Sequence, residues 1–385
     1  MYLKVEGCHF PAPTGTLVLV SYTSPLMQLP GAAAVQDDTL IDSQGVAWHY
    51  GDPLVEQRAM HLDIPVLVDR SQRRVISVVG PDAPEFLNNL LSQKLDTVDP
   101  GYSASALDLD VQGRILHYSD VVRTDDGFYL DTTAAEFESF FKFLTMMIFW
   151  SKVEITEADL AIVSLLGTLP ELPTKVQEAA AFVRKVENWT ETPRTDIAVP
   201  REQLREMAQE LIDAGFKPAG LMAYTAERVR NLEPERAADL DDKSIAHEIP
   251  HWIGRGELQG AVHLEKGCYR GQETIARVEN LGRSPRLVVR LYLDGSVPEM
   301  PETGADITSG GRRVGRVGTI IDDFELGPIA LGLIKRSALP NPDKPDAEAP
   351  ELLIGECAAT VDDDSLPADE GVKLGRSAID KLRGR

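Results

Sequence analysis

Apolar and polar positions fall into regular patterns from Pro65 onward. Residues 65–69 and 74–80 are short β-branched runs and predict two strands. Asp82 follows Pro81 and predicts an N-cap, with Phe86, Leu87, Leu90 and Leu91 behind it at helical spacing. Segments 103–110 and 115–123 alternate about a Gln112-Gly113 turn, the pattern of a hairpin, and 127–131 predicts one more strand. The strongest helical pattern is 136–150, where Phe137, Phe140, Phe141, Leu144 and Ile148 share one face. Such an aromatic stripe reads as core.

Strands at 152–155 and 160–166 follow, and residues 170–195 carry little pattern. A helix beginning at Pro200 bears Leu204, Met207, Leu211 and Ile212 and ends at Gly215, and a second covers about 219–232. Runs at 287–293, 314–321 and 329–334, separated by Gly and Pro, predict a small terminal barrel. Strands and helices alternate without a strict βαβ period, so the fold class is α+β. Segment 1–60 reads as an irregular lead-in whose Trp48, His49 and Tyr50 pack on the rest. Residues 337–349 read as an acidic, proline-rich connection and 375–385 as a basic tail.

At 385 residues the chain is too long for one ordinary core. It contains no apolar run long enough for a membrane span. The segment 1–10 includes Lys4, Glu6 and His9 and lacks the apolar stretch of a signal peptide. Cys8, Cys268 and Cys357 offer neither a CxxC pair nor a disulfide framework, which points to a reducing, cytoplasmic setting. A net charge of −22 repels polyanions at long range, so direct nucleic-acid binding is not expected. Arg283, Arg286, Arg312, Arg313 and Arg316 read as a solvated strand face or as a local basic patch.

The most unusual passage is Lys266-Gly-Cys-Tyr-Arg-Gly-Gln-Glu273, continuing to Arg277. Its two glycines imply a sharply turning backbone, with a helix beginning at Gln272 and Cys268 just before it. A helix N-terminus together with Lys266 and Arg270 would favour a thiolate at Cys268. Equally, Cys268 is a small buried hydrophobe and Lys266 a solvated charge.

This segment resembles the K-G-C-Y-x-G-Q-E-x-x-A-R signature of YgfZ-type folate-binding proteins, relatives of the glycine-cleavage T-protein. Val68–Ser71, Gly80–Ala83, Asp108–Arg114, Ile245–Glu248 and Gly327–Gly332 resemble further T-protein segments, so the likeness covers about 69–336. The fold it implies is a folate-binding core of interleaved α+β subdomains around a central channel, spanning 61–282, then a C-terminal β-barrel within 283–385. The implied cofactor is tetrahydrofolate or a one-carbon derivative, with no stably bound metal, since a lone Cys cannot hold an iron–sulfur cluster. The implied partners are a folate and iron–sulfur client proteins.

The chain departs from aminomethyltransferases where their chemistry takes place. His117 and Tyr118 stand in place of paired aspartates, Ser92-Gln93-Lys94 replaces Thr-Asn-Asp, and Arg230 replaces the glutamate expected to grip the pterin. The implied function is therefore an accessory role in assembly or repair of iron–sulfur enzymes, with Cys268 as working residue. A folate-dependent aminomethyl transferase is the alternative, which leaves open whether the chain is an enzyme. The resemblance places Cys268, Lys266 and His117 in the chemistry. It places Tyr269, Arg270, Gly271, Gln272, Glu273 and Arg277, with Glu248, Trp252 and Arg228, at the folate. A folate requires an aromatic wall, a carboxylate for the pterin edge and cations for its tail, roles open to Trp252, Tyr269, Glu248 and Arg277. His117 reads as a base or as a structural strand histidine, Trp252 as slot wall or packing anchor, and Arg277 as ligand or surface ion pair.

Overall fold

The computed structural model describes residues 22–35, 40–281, 283–340 and 350–367. In chain order the first elements are α1 (Pro53–Met60), β1 (Val66–Asp69), β2 (Arg74–Val79), α2 (Ala83–Leu90), β3 (Ser103–Leu109), β4 (Ile115–Arg123), β5 (Gly127–Thr132) and α3 (Ala134–Met146). Next come β6 (Glu154–Ala158), β7 (Leu160–Leu166), α4 (Thr174–Ala179), β8 (Phe182–Val186), β9 (Arg194–Pro200), α5 (Leu204–Asp213), β10 (Lys217–Ala219), α6 (Leu221–Arg230) and α7 (Arg236–Asp239). The chain continues with α8 (Gln272–Leu281), β11 (Arg286–Leu293), β12 (Asp306–Ser309), β13 (Arg312–Asp323), β14 (Gly327–Lys335), β15 (Leu352–Ile354) and β16 (Cys357–Val361).

These strands form two five-stranded sheets and a closed barrel. One sheet runs β10-β1-β7-β9-β8 and the other β3-β4-β5-β2-β6, so the chain passes from one to the other and back. The barrel order is β11-β14-β13-β12-β15-β16, and closure leaves it no free edge. The α+β class and the terminal barrel both follow the sequence pattern. Strands β8, β9, β12, β15 and β16 lie where that pattern was weak. Burial explains this: β7, which the pattern did mark, is buried at every position, whereas β15 and β16 are short, and the hairpin they form is completed by pairing with β12 and β11, 45 or more residues away.

The aromatic stripe of α3 is core, with Phe137, Phe140 and Leu144 fully buried under β2, β4 and β5. The helix stops at Met146, four residues short of the predicted end, and leaves Phe149 and Trp150 outside it. Asp82 is not a side-chain cap for α2; its Oδ2 accepts from the Lys152 backbone N–H at 2.7 Å instead. The predicted lead-in contains α1, and Trp48 packs against the core as expected. Cys8, most of the acidic connection and the basic tail lie outside the described residues. No helix among the described residues is long and apolar enough to cross a membrane.

A single cluster joins the parts: Leu107, Ile115, Val229 and Trp252 pack with Val288, Ile329 and Leu331 of the barrel. The sheets are also tied by buried charge. Asp120 and Asp131 are cross-strand neighbours on β4 and β5, an arrangement that repels unless cations intervene. Arg73 reaches Asp131 at 2.6 Å, Arg194 reaches Asp196 at 2.6 Å, and Arg184 binds Asp131, Asp196 and Asp120. The network bridges the two sheets at the edge where β3 meets β8.

Candidate functional site

The motif loop runs from Lys266 to Gly271 and leads into α8. Gly271 has φ +83°, and a Cβ there would lie 2.7 Å from the Asp110 carbonyl oxygen, so glycine lets the loop seat against the β3–β4 hairpin. Two side chains pin the loop. Lys266 Nζ donates to the carbonyls of Asn88, Leu91 and Gln93 at 2.5, 2.5 and 2.9 Å, closing the C-terminal end of α2. Burial draws its pKa down to about 7. On the other side, Arg270 donates to Asp108 Oδ1 at 2.5 Å, while Asp108 Oδ2 lies 2.8 Å from His117 Nδ1. His117 Nε2 is 2.9 Å from Ser139 Oγ, and its ring stacks on Phe140.

Cys268 sits between these anchors with its side chain exposed, so it is not the small buried hydrophobe. The two cations beside it in the sequence make their contacts elsewhere, Lys266 with helix-end carbonyls and Arg270 with Asp108. Gln272 is the first residue of α8, its Oε1 3.3 Å from the Tyr269 N–H, and Glu273 lies exposed in the first turn. Tyr269 is half-buried under Lys266, with its phenol pushed up to about 12 by burial. Arg277 is exposed on α8.

The opposite face of β4 carries a different chemistry. Tyr118 stacks on fully buried Trp252 at 5.0 Å between ring centroids. Its hydroxyl lies 2.7 Å from Ser105 Oγ and 3.0 Å from Asp120 Oδ1, and it also hydrogen-bonds Glu233. Burial, then Asp120 and Glu233, hold the phenol well above its ordinary pKa. Burial opposes ionisation of Glu233, yet hydrogen bonds from His251 and Tyr118 hold its carboxyl below the ordinary value. Beside this cluster a shallow, open cleft of about 30 Å³ lies along the β3–β8 seam, lined by Ser105, Asp120, Arg184, Lys185, Asn188 and Gln259 among others. Among the described residues, two buried polar atoms have no partner: the acceptor Asn188 Oδ1 at this cleft, and the donor Trp252 Nε1 in a fully buried ring that does not line it.

The predicted residues are thus divided. Cys268, Lys266, Tyr269, Arg270, Gly271 and His117 gather around the hairpin, whereas Trp252 belongs to the Tyr118 face. Glu248 is withdrawn from both: Arg286 holds it at 2.7 Å, and it caps the turn at Ile245. Arg228 is a buried strut bonded to Asp239 at 2.7 Å and to Thr319 of the barrel. Arg230 turns away to Asp323, with both contacts at 2.6 Å. Glu233 was missed. It follows Leu232, which takes φ +55°, a left-handed conformation that costs a bulky residue energy and redirects the chain after α6. Sequence spacing gives no sign of that turn, because leucine there suggests continued helix.

No family model matches the chain. It is 24% identical over 270 residues to the mitochondrial iron–sulfur cluster assembly factor IBA57 homolog of Neurospora crassa, a match covering 62% of this chain and 56% of that protein. It is 23% identical over 261 residues to the tRNA-modifying protein YgfZ of Escherichia fergusonii, covering 65% of this chain and 78% of that one. Among solved structures, the glycine cleavage system aminomethyltransferase T from Bartonella henselae superposes with a TM-score of 0.71 at 21% identity, over 87% of this chain and 94% of that one. By sequence the chain is a relative of proteins named YgfZ and IBA57, and by fold it is a T-protein-like α+β protein with a C-terminal barrel.

Proposed function

We propose that this chain is a tetrahydrofolate-binding accessory protein for the assembly or repair of iron–sulfur enzymes, with Cys268 as its working residue. The observation that carries the reading is an exposed thiol on a loop anchored at both ends, beside a hairpin whose acidic pair has become His117 and Tyr118. The name borne by the IBA57 relative supports the iron–sulfur half.

The folate reading draws on the polar groups along the β3–β8 seam, whose shallow cleft of about 30 Å³ would have to open to admit a pterin. Asn188 Oδ1 is an acceptor without a donor, suited to an amino or ring N–H. A buried orphan of this kind costs roughly 1–3 kcal/mol until a partner arrives. Exposed Lys185 offers a cation to an anionic tail. Ser105 and Gln259 supply further polar contacts at the wall. When bound, the folate would supply the one-carbon carrier. Arg184, which holds Asp120, Asp131 and Asp196 together, would keep the wall rigid. The transferase reading gains less support: both ring nitrogens of His117 are engaged, leaving no free base at that position.

Calorimetric titration of tetrahydrofolate tests the cofactor half. The expected result is saturable binding to wild type and Cys268→Ala alike, and binding about tenfold weaker to Asn188→Ala, which removes the unpartnered acceptor at the cleft. Absence of binding to wild type would remove folate from the reading. Recovery of client iron–sulfur enzyme activity tests the other half, with loss expected in Cys268→Ala.

A further inference from the structure

Arg70, the residue after β1, stands apart from the other buried arginines near the meeting of the two sheets. Arg73, Arg184 and Arg194 each contact aspartates, and Asp120, Asp131 and Asp196 are shared among those three. Arg70 is only 5% exposed and has no ion pair among the described residues. Its one side-chain hydrogen bond there runs from Nη1 to the Ser164 hydroxyl at 3.3 Å, and that hydroxyl gives its own proton to Asp196 at 2.6 Å. Asp69, its neighbour in the chain, accepts from Ser24 and from the Ser71 N–H instead. Asp42 acts on Arg70 only at longer range, with a carboxyl whose ionisation burial opposes. The guanidinium otherwise lies over the Tyr224 ring, 4.2 Å from its centroid. A ring face attracts a cation but leaves its other N–H groups without acceptors. Four arginines thus face three aspartates, and the fourth is buried with most of its donors unanswered.

A second donor beside the same ring is also unanswered. Trp189, 4% exposed on the loop between β8 and β9, packs against Tyr224 with 5.2 Å between ring centroids. Its Nε1 is buried and has no acceptor among the described residues. Arg194 lies 4.9 Å from the Trp189 ring and 5.4 Å from the Tyr224 ring, with its own donors given to Asp196. Two donors around one tyrosine, one of them charged, therefore lack an acceptor. What answers both is a small anion with more than one oxygen.

We propose that Arg70, Tyr224 and Trp189 form a binding site for a small free carboxylate of one or two carbons. The planar donors of a guanidinium match the two oxygens of a carboxylate as a pair, and an indole N–H can take a further lone pair. All three side chains are more than nine-tenths buried, which leaves no room for a phosphate monoester or a peptide. Asn188 immediately precedes Trp189 and lines the β3–β8 cleft, so the ligand enters along that seam. The site needs neither folate nor Cys268 and stands beside the function proposed above without depending on it. Formate, with three heavy atoms, binds no tighter than about 0.5 mM.

The test titrates sodium formate to about 50 mM into the full chain without folate, against sodium chloride at equal ionic strength, and follows the indole N–H signals by proton–nitrogen NMR. Trp189→Phe, which keeps a ring and removes the N–H, identifies the Trp189 signal among the four tryptophans. Formate should move that signal saturably and leave the signal of Trp150, which is exposed, where it is. Acetate should bind more weakly and propionate not at all. Arg70→Met keeps the aliphatic stem, removes the guanidinium and should weaken formate binding at least about tenfold. Its melting temperature in formate-free buffer should hold or rise, because the variant removes a buried charge that has no counter-ion. An Arg70→Met protein that unfolds or melts well below wild type shows a structural strut and overturns the reading. So does the absence of a saturable shift in wild type, an equal shift with chloride, or a shift that persists in Arg70→Met. Propionate binding more tightly than formate overturns the small, enclosed ligand. Tetrahydrofolate binding and client recovery are read separately, so either result here leaves that function untouched.

Discussion

Asp42 illustrates how much of this molecule is decided one atom at a time. Its Oδ2 is buried without a partner among the described residues, its backbone N–H donates to Glu235 at 3.2 Å, and its Oδ1 accepts from the Ala134 N–H at 3.4 Å. Burial, and then Glu235, push the carboxyl up to about 6. The native state therefore holds a proton that the unfolded chain has released, and the associated stability is present below about pH 4 and lost as pH rises through 6. Asp42→Asn should raise Tm by about 2–4 °C at pH 7.5 and by much less at pH 4.5, as a pair of thermal melts will show. At Lys266 the sequence alone left a cation favouring a thiolate at Cys268 and a solvated charge both open. Three carbonyl acceptors at the end of α2 decide for an anchor, and they come from residues more than 170 positions away.

Among the elements, α6 is the pivot. Its last turn carries Arg228 and Arg230, and both leave the helix for the barrel strand β13, one toward Thr319 and the other toward Asp323. The Arg230–Asp323 pair is bidentate, and the Asp323 carboxyl also accepts from the Glu325 and Leu326 N–H groups that close the β13–β14 turn. Arg230→Met would strand that carboxylate and should cost about 3–5 kcal/mol of stability in urea unfolding. Asp323→Asn keeps the turn contacts without the charge, so the double variant should lie closer to wild type than Arg230→Met alone. A simple sum of the two single losses would show that the pair does not act as a unit. Position 230, which from the resemblance alone counted as a lost pterin contact, is in this chain a clamp between core and barrel.

For the whole molecule, the site is a product of assembly. The β3–β8 cleft lies where two sheets meet, and the Trp252 behind it packs simultaneously on β4, α6 and the barrel. A ligand bound there touches several parts at once and should stabilise them together. Tetrahydrofolate at about 100 times its Kd should add roughly 2.7 kcal/mol, visible as one cooperative upward shift of the thermal melt. The shift should persist in Cys268→Ala, since Cys268 is not among the residues lining the cleft. Separate unfolding steps that ignore folate would contradict a ligand held at the junction.

Local pattern by itself determined the elements whose burial repeats at their own period: β1, β2, the β3–β4 hairpin, the phenylalanine face of α3 and the long barrel strands. Each reports its environment through side chains a few residues apart, so the signal is contained in the segment. The motif loop was legible for the same reason, since its glycines and its thiol are adjacent in the chain. Tertiary structure alone decided the rest. It paired short β15 and β16 with distant strands, joined the arginines of β8 and β9 to aspartates of β4 and β5, and sent Glu248 to Arg286 while bringing Glu233 to Tyr118. The physical reason is common to all of these: a buried charge or a short strand is stable only against partners that are remote in the chain, and local periodicity carries no record of them.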